Sequence, residues 1–196
     1  MMMKRLLIGL SLGLAVVAPA SANSLVTAGP RPHIAESRFS ASPTDEWNRL
    51  SRKDGKNVEI WTRDGDQLNK VTFFGGIPSG KPLVREIDKK HQPLPKVAAD
   101  MLITDIPVLL ESTYRIQYAV TQMEVDSQEP ATLSGHKAIR FTYRFAREDD
   151  GVRRRGEAIG AFVDGQLYLV TYEAPALYFF DKDVEKYRKL AATLAL

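Results

Sequence analysis

Four short groups of residues in this chain have side chains that could do chemistry. Asp64-Gly65-Asp66 sets two carboxylates around a glycine. Ser134-Gly135-His136 brings a hydroxyl near an imidazole. Glu148-Asp149-Asp150 clusters three acids, and Arg153-Arg154-Arg155 clusters three cations. The first three do not meet the requirements of familiar catalytic or metal sites. An EF-hand loop needs oxygen ligands at positions 1, 3 and 5 and glycine at 6. Counted from Asp64, position 5 is Leu68 and position 6 is Asn69. Zinc wants Cys or His at close spacing. The histidines His33, His91 and His136 are far apart, and there is no cysteine. No metal and no other cofactor is expected. Nucleophilic catalysis needs a Ser beside a His oriented by an acid. Ser134 and His136 read instead as a polar turn entering a strand at Lys137. The three acids fall at a hairpin tip, where water leaves carboxylates ordinary, and a general acid needs burial or a charged neighbour. No glycine-rich phosphate loop is present; the stretch GGIPSG at 75–80 lacks the following Lys-Ser/Thr.

The arginines and a later aromatic run carry the binding candidates. Arg153, Arg154 and Arg155 could contact an anion or an acidic partner. The plainer reading makes them the solvated end of a hairpin, with Arg153 and Arg155 on the face opposite Arg154. The stretch APALYFF at 174–180 follows an apolar strand. Tyr178 and Phe179 within it could close the sheet edge or form an exposed partner or ligand patch.

The elements that position these residues are announced by turns. Asp-Gly occurs at 54–55, 64–65, 150–151 and 164–165. Asp-Gly between apolar runs signals a two-residue hairpin, because a type I′ turn needs positive φ at both central residues. Such a turn at 150–151 sets Phe141 opposite Gly160, Tyr143 opposite Ala158, Phe145 opposite Gly156, Arg144 opposite Glu157 and Glu148 opposite Arg153. The turn at 164–165 sets Phe162 opposite Leu167, Gly160 opposite Leu169 and Ile159 opposite Val170. The turn at 64–65 sets Trp61 opposite Leu68 and Glu59 opposite Lys70. The strand at 166–173 is apolar on both faces, so both faces are covered. Residues 104–119 and 181–196 show helical spacing with start signals and supply the cover. The order strands, helix, strands, helix describes an α+β domain: a twisted antiparallel sheet with helices on both faces.

The first residues describe a leader. Lys4 and Arg5 precede an uninterrupted apolar run at 6–18, then Pro19 and Ala20-Ser21-Ala22. That is the pattern of a secretory signal peptide cut after Ala22, and the run is short of the roughly 20 residues of a membrane span. Export without cysteine fits a bacterial periplasm or exterior, with no integral membrane span after processing. Removing 22 of 196 residues leaves 174, and the formal net charge falls from +3 to +1. A near-neutral chain has no global field for nucleic acid, so no nucleic-acid partner is expected. Residues 23–44 read as a flexible N-terminal segment and 45–196 as a single domain.

Several stretches together resemble a family of small exported bacterial proteins without assigned activity. They are Trp47-Asn48, EIWTRDGDQLNKVTFFGGIPSGKPL at 59–83 and RRRGEAIGAFVDGQLYLVTYEAPALYFF at 153–180. The order of elements is similar to the Mog1/PsbP-type α/β/α sandwich. That resemblance implies a largely non-enzymatic accessory, assembly or adaptor role, and fold alone does not fix function. The leading expectation is therefore a non-catalytic protein that binds a periplasmic or envelope protein. One rival is a carrier of a small apolar ligand, with Gly156, Ala158 and Gly160 lining a cleft opposite the aromatic rings. The other is a hydrolase assembled from distant loops, which requires His91 or His136 beside a buried carboxylate.

Overall fold

The computed structural model describes residues 22–196. The leader reading falls almost wholly outside them. The body is an eight-stranded antiparallel sheet. Its strands are β1 (Ser24–Val26), β2 (Trp47–Arg49), β3 (Val58–Thr62), β4 (Lys70–Pro78), β5 (Val120–Leu133), β6 (His136–Arg147), β7 (Arg153–Val163) and β8 (Gln166–Pro175). In space they run β1-β2-β3-β4-β8-β7-β6-β5, so β8 is central and β1 and β5 are the edges. Helix α1 (Ile106–Gln117) packs by Ile106, Leu109, Leu110 and Tyr114 on one face. Helix α2 (Phe179–Ala192) packs by Phe180, Val184, Tyr187 and Leu190 on the other.

The expectation of helices covering both faces is corrected. Eight strands at about 4.8 Å spacing make a sheet about 34 Å across, and a helix is only about 10 Å wide. The two helices described, of 12 and 14 residues, cannot cover that area. Loop residues do much of the covering. Leu83, Val84, Leu94 and Val97 join α1 on its face. On the α2 face, Val26, Ile34, Ala35, Phe39 and Ala41 are buried against Trp61 and Phe73. The segment read as a flexible N-terminal stretch is thus a packed strap, held by these apolar residues. The outer strands β5 and β6 keep a polar, uncovered surface on the α2 side.

Register decides which side chains meet. At 164–165 both Asp164 (φ 50°) and Gly165 (φ 72°) have positive φ. The two-residue turn forms, and Phe162–Leu167, Gly160–Leu169 and Ile159–Val170 pair as expected. At 150–151 only Gly151 has positive φ (62°). Asp150 turns its carboxylate onto the Val152 N–H and the Arg154 guanidinium, and the loop lengthens to 148–152. The ladder moves by two residues. Phe141 faces Ala158, Tyr143 faces Gly156, Phe145 faces Arg154 and Arg144 faces Arg155. At 64–65, Asn69 Oδ1 accepts from the Arg63 and Asp64 N–H groups and stretches the connection to 63–69. Trp61 therefore faces Val71 and Glu59 faces Phe73.

The two-residue slip keeps the rings on the α1 face and places Tyr143 over Gly156. A Cβ built on Gly156 would lie 2.2 Å from the Tyr143 ring. Gly156→Ala should therefore lower stability by about 3 kcal/mol, the upper end for overpacking. Urea unfolding would measure it, and a loss under about 1 kcal/mol would contradict this packing.

Candidate functional site

The structure gathers the candidates at 64–66, 148–150, 153–155 and 178–179 at one end of the sheet, where loops 63–69 and 148–152 and the β8–α2 junction meet, and leaves Ser134 and His136 at the opposite end, in the β5–β6 turn. The Ala176 N–H donates to the Arg153 carbonyl at 2.8 Å, which ties the junction to the start of β7. Arg153 and Arg155 point to the α2 face. Arg155 bonds Asp181 at 2.9 Å and lies 4.1 Å from the centre of the Phe180 ring. Arg144 of β6 faces Arg155 and is held by Glu124 and Asp126 on or beside β5. Gln122, Glu124, Arg144, Arg153, Arg155 and Ala176 line an open hollow of about 380 Å³. Arg154 points to the other face. It is 7% exposed, its guanidinium is engaged by Asp150 at 3.0 Å, and the residue also borders the hollow.

The aromatic candidates divide in the same way. Tyr178 has φ 69° and ψ −56°, and the Phe179 N–H donates to the Leu177 carbonyl at 2.8 Å. That is the rare γ-turn with positive φ, which is strained in a residue with a side chain. The turn pushes Leu177 (86% exposed) and Tyr178 (64% exposed) into solvent. Phe179 is half-buried and packs edge-on against Tyr178, with ring centres 5.2 Å apart. Its carbonyl accepts from the Tyr172 hydroxyl. Val152, on the neighbouring loop, is a third exposed apolar residue at this end.

Asp64 of the opening candidate group joins the same end without metal or acid/base geometry. Its carboxylate accepts from Lys182 at 2.6 Å and from Asn69 Nδ2 at 2.8 Å. The Lys182 hydrogen bond holds its carboxyl below the usual range. Asn69 also reaches the fully buried Asp183, which Arg63 approaches at 3.3 Å. Loop 63–69 is thereby fastened to the first turns of α2.

Sequence reasoning missed a buried polar set on the α1 side of this end. Glu173 of β8 is 1% exposed. It accepts from the Tyr143 hydroxyl at 2.7 Å and has Lys70 Nζ at 3.1 Å. Burial first, then the Glu173 charge, pushes the Tyr114 and Tyr143 phenols well above their ordinary range, so both stay neutral donors. The adjoining cavity holds only about 20 Å³. That is room for one water molecule and no substrate. The one available signal was a lone Glu in an otherwise apolar strand.

Both rivals lose their motivating geometry. Gly156 lies under Tyr143, Ala158 is fully buried, and a Cβ at Gly160 would meet α1 at Ile106. The stripe is a packed layer and not a cleft. His91 pairs with Asp88 at 3.0 Å, but both are exposed, and His136 is exposed at the start of β6. Neither sits beside a buried carboxylate. An open hollow of about 630 Å³ includes His91 with Arg115, Ile116 and Glu148. Among the described residues no cluster of three or more His, Asp or Glu is placed to hold a metal ion. No described helix is long and apolar enough to cross a membrane.

No family model matches the chain, and no curated protein matches it. The family of small exported proteins suggested by the quoted stretches is thus without a sequence match. Among solved structures the chain is similar to cyanobacterial PsbP (CyanoP) from Synechocystis sp. PCC 6803. The TM-score is 0.45 at 15% identity, covering 94% of this chain and 98% of that one. It is also similar to PA94, a protein of unknown function from Pseudomonas aeruginosa, with TM-score 0.38 at 9% identity over 91% and 87%. A third is LpqN of Mycobacterium tuberculosis, involved in cell envelope biogenesis, with TM-score 0.34 at 8% identity over 90% and 85%. Likenesses of this degree carry no inference about activity or partners.

Two outcomes test the ion pairs at this end. Lys70→Met would leave the Glu173 carboxylate buried without its cation and should cost about 2–3 kcal/mol, less than a fully buried pair because Lys70 is partly exposed. Adding Glu173→Gln should recover most of that loss in denaturant unfolding. The Arg154 hydrogen bond lowers the Asp150 pKa from 3.8 to about 2. A carboxyl depressed on folding adds stability above its unfolded pKa, and that stability is lost as pH falls through the folded value. Asp150→Asn should therefore flatten the acid limb of stability between pH 3.8 and about 2. An unchanged limb in pH-dependent unfolding would contradict the pairing.

Proposed function

We propose that this is an exported, non-catalytic accessory protein that docks a protein partner of the periplasm or cell envelope through the end of the sheet. One observation carries the reading. Arg153 and Arg155 border an open hollow beside a strained, protruding Leu177-Tyr178 knob, so cation and exposed ring share one surface. Tyr and Arg are the residue types most enriched where binding energy concentrates. A ring held on a rigid turn loses little conformational freedom on docking. The leader pattern at the start of the sequence supports export, and the absence of a recognised catalytic motif supports the accessory role.

A photo-crosslinking residue at Tyr178, expressed in the native host, should give discrete protein adducts. The same residue at His136, exposed where β5 turns into β6 at the opposite end of the sheet, should give none. Equal labelling at both positions, or none at Tyr178, would remove the docking reading. Leu177→Ser should reduce the Tyr178 adducts while leaving the melting temperature unchanged, because Leu177 buries almost nothing.

A further inference from the structure

The cross-strand pairing at this end sets guanidinium groups together. Arg144 stands directly opposite Arg155, and Arg153 follows two positions along the same face of β7. Like charges directly opposed across strands are destabilising. The neighbouring carboxylates engage Arg144 and Arg155 but leave Arg153 without one among the described residues. Glu124 and Asp126 hold Arg144 from the β5 side, with Asp126 at 2.7 Å, and Asp181 holds Arg155 from α2. All three acids lie at the surface, with exposures of 46%, 36% and 70%. Arg153 has no ion-pair partner among the described residues, although Arg147, Arg154 and Arg155 beside it each have one.

We propose that Arg144, Arg153 and Arg155 form a carboxylate-binding site for an acidic peptide segment of the docking partner, a proposal that rests on the docking reading above. Three features favour an extended acidic chain over a single phosphate. The arginines spread along the sheet instead of converging on one point. Arg153 and Arg155 are alternate residues of a strand, about 7 Å apart, which is the repeat of alternate side chains in an extended peptide. The acids already touching Arg144 and Arg155 are carboxylates on exposed side chains, which an incoming carboxylate can replace or extend. The segment is therefore one with Glu or Asp at every second position, its acids toward the arginines and its backbone over Ala146 and Ala176. Bidentate guanidinium–carboxylate pairs would supply both energy and alignment.

The test is fluorescence anisotropy on the purified protein with a labelled octapeptide of alternating Glu and Ser, against its Gln/Ser counterpart. The acidic peptide should bind, weaken as salt rises, and lose about tenfold in affinity with Arg153→Gln or Arg144→Gln. The unliganded Arg153→Gln protein should melt at the same or a higher temperature, because the substitution relieves like-charge crowding. An arginine with only a structural role would lower it. The assignment is overturned if the Gln/Ser peptide binds equally, if Arg153→Gln binds like the unsubstituted protein, or if pyrophosphate at equal concentration displaces the acidic peptide. Tyr178 adducts without peptide binding would remove the carboxylate assignment and leave the docking reading standing. Missing adducts would remove the docking reading itself.

Discussion

The Asp150–Arg154 pair and the loop it shapes fix the register on which this molecule depends. A two-residue turn at Asp150-Gly151 would have set Arg144 against Glu157, a balanced surface pair. The carboxylate of Asp150 instead folds back onto Val152 and Arg154. A residue engaged in that way does not enter the left-handed region, and the loop takes five residues. The ladder then slips by two, which preserves faces and changes partners. Tyr143 falls on Gly156, where a Cβ would strike its ring, and its hydroxyl reaches Glu173. Arg144 falls on Arg155. The interior gains a hydrogen bond to a buried carboxylate, and the surface acquires a cationic crowd.

The two faces of the sheet divide the work. The α1 face is dry from β3 to β6, closed by one helix and the residues around Leu83 and Leu94. The α2 face is dry under α2 and the N-terminal strap, then turns polar where β6 and β5 extend beyond them. The edges are poor places for a partner to add a strand. β5 carries Glu124, Asp126 and Glu129, two register irregularities and Pro130. Those are the devices that blunt an exposed edge. Strand addition at the β5 edge is thereby disfavoured.

Much of this was legible in the sequence, and the failures have physical causes. The strands β6, β7 and β8 follow from period-two alternation and two-sided apolarity. The turn at Asp164-Gly165 was read correctly in type and register because nothing nearby competes for its carboxylate in the loop; Asp164 reaches out to Arg38 instead. At Asp64 and Asp150 the same dipeptide gave the wrong register, because Asn69 and Arg154 compete for the turn by side-chain hydrogen bonds that no dipeptide rule contains. Strand β5 has few buried residues and left no apolar signature. Residues 23–44 looked loose because burial there is irregular, set by Ile34, Ala35 and Phe39 without a period. Arg153, Tyr178 and Phe179 were legible as candidates. That Arg144 faces Arg155 was hidden by the register error.

Strain at Tyr178 bears on why the end of the sheet is built as it is. A positive φ at a residue with a side chain costs on the order of 1–3 kcal/mol and persists only where its surroundings insist on it. Here they do. The chain before the turn is held by Ala176 to Arg153, and the chain after it by Tyr172 to the Phe179 and Phe180 carbonyls. Asp181 and Lys182 are tied to Arg155 and Asp64. These anchors hold the chain on both sides of Tyr178. The strained turn leaves Leu177 and Tyr178 exposed next to Ala176, which lines the hollow.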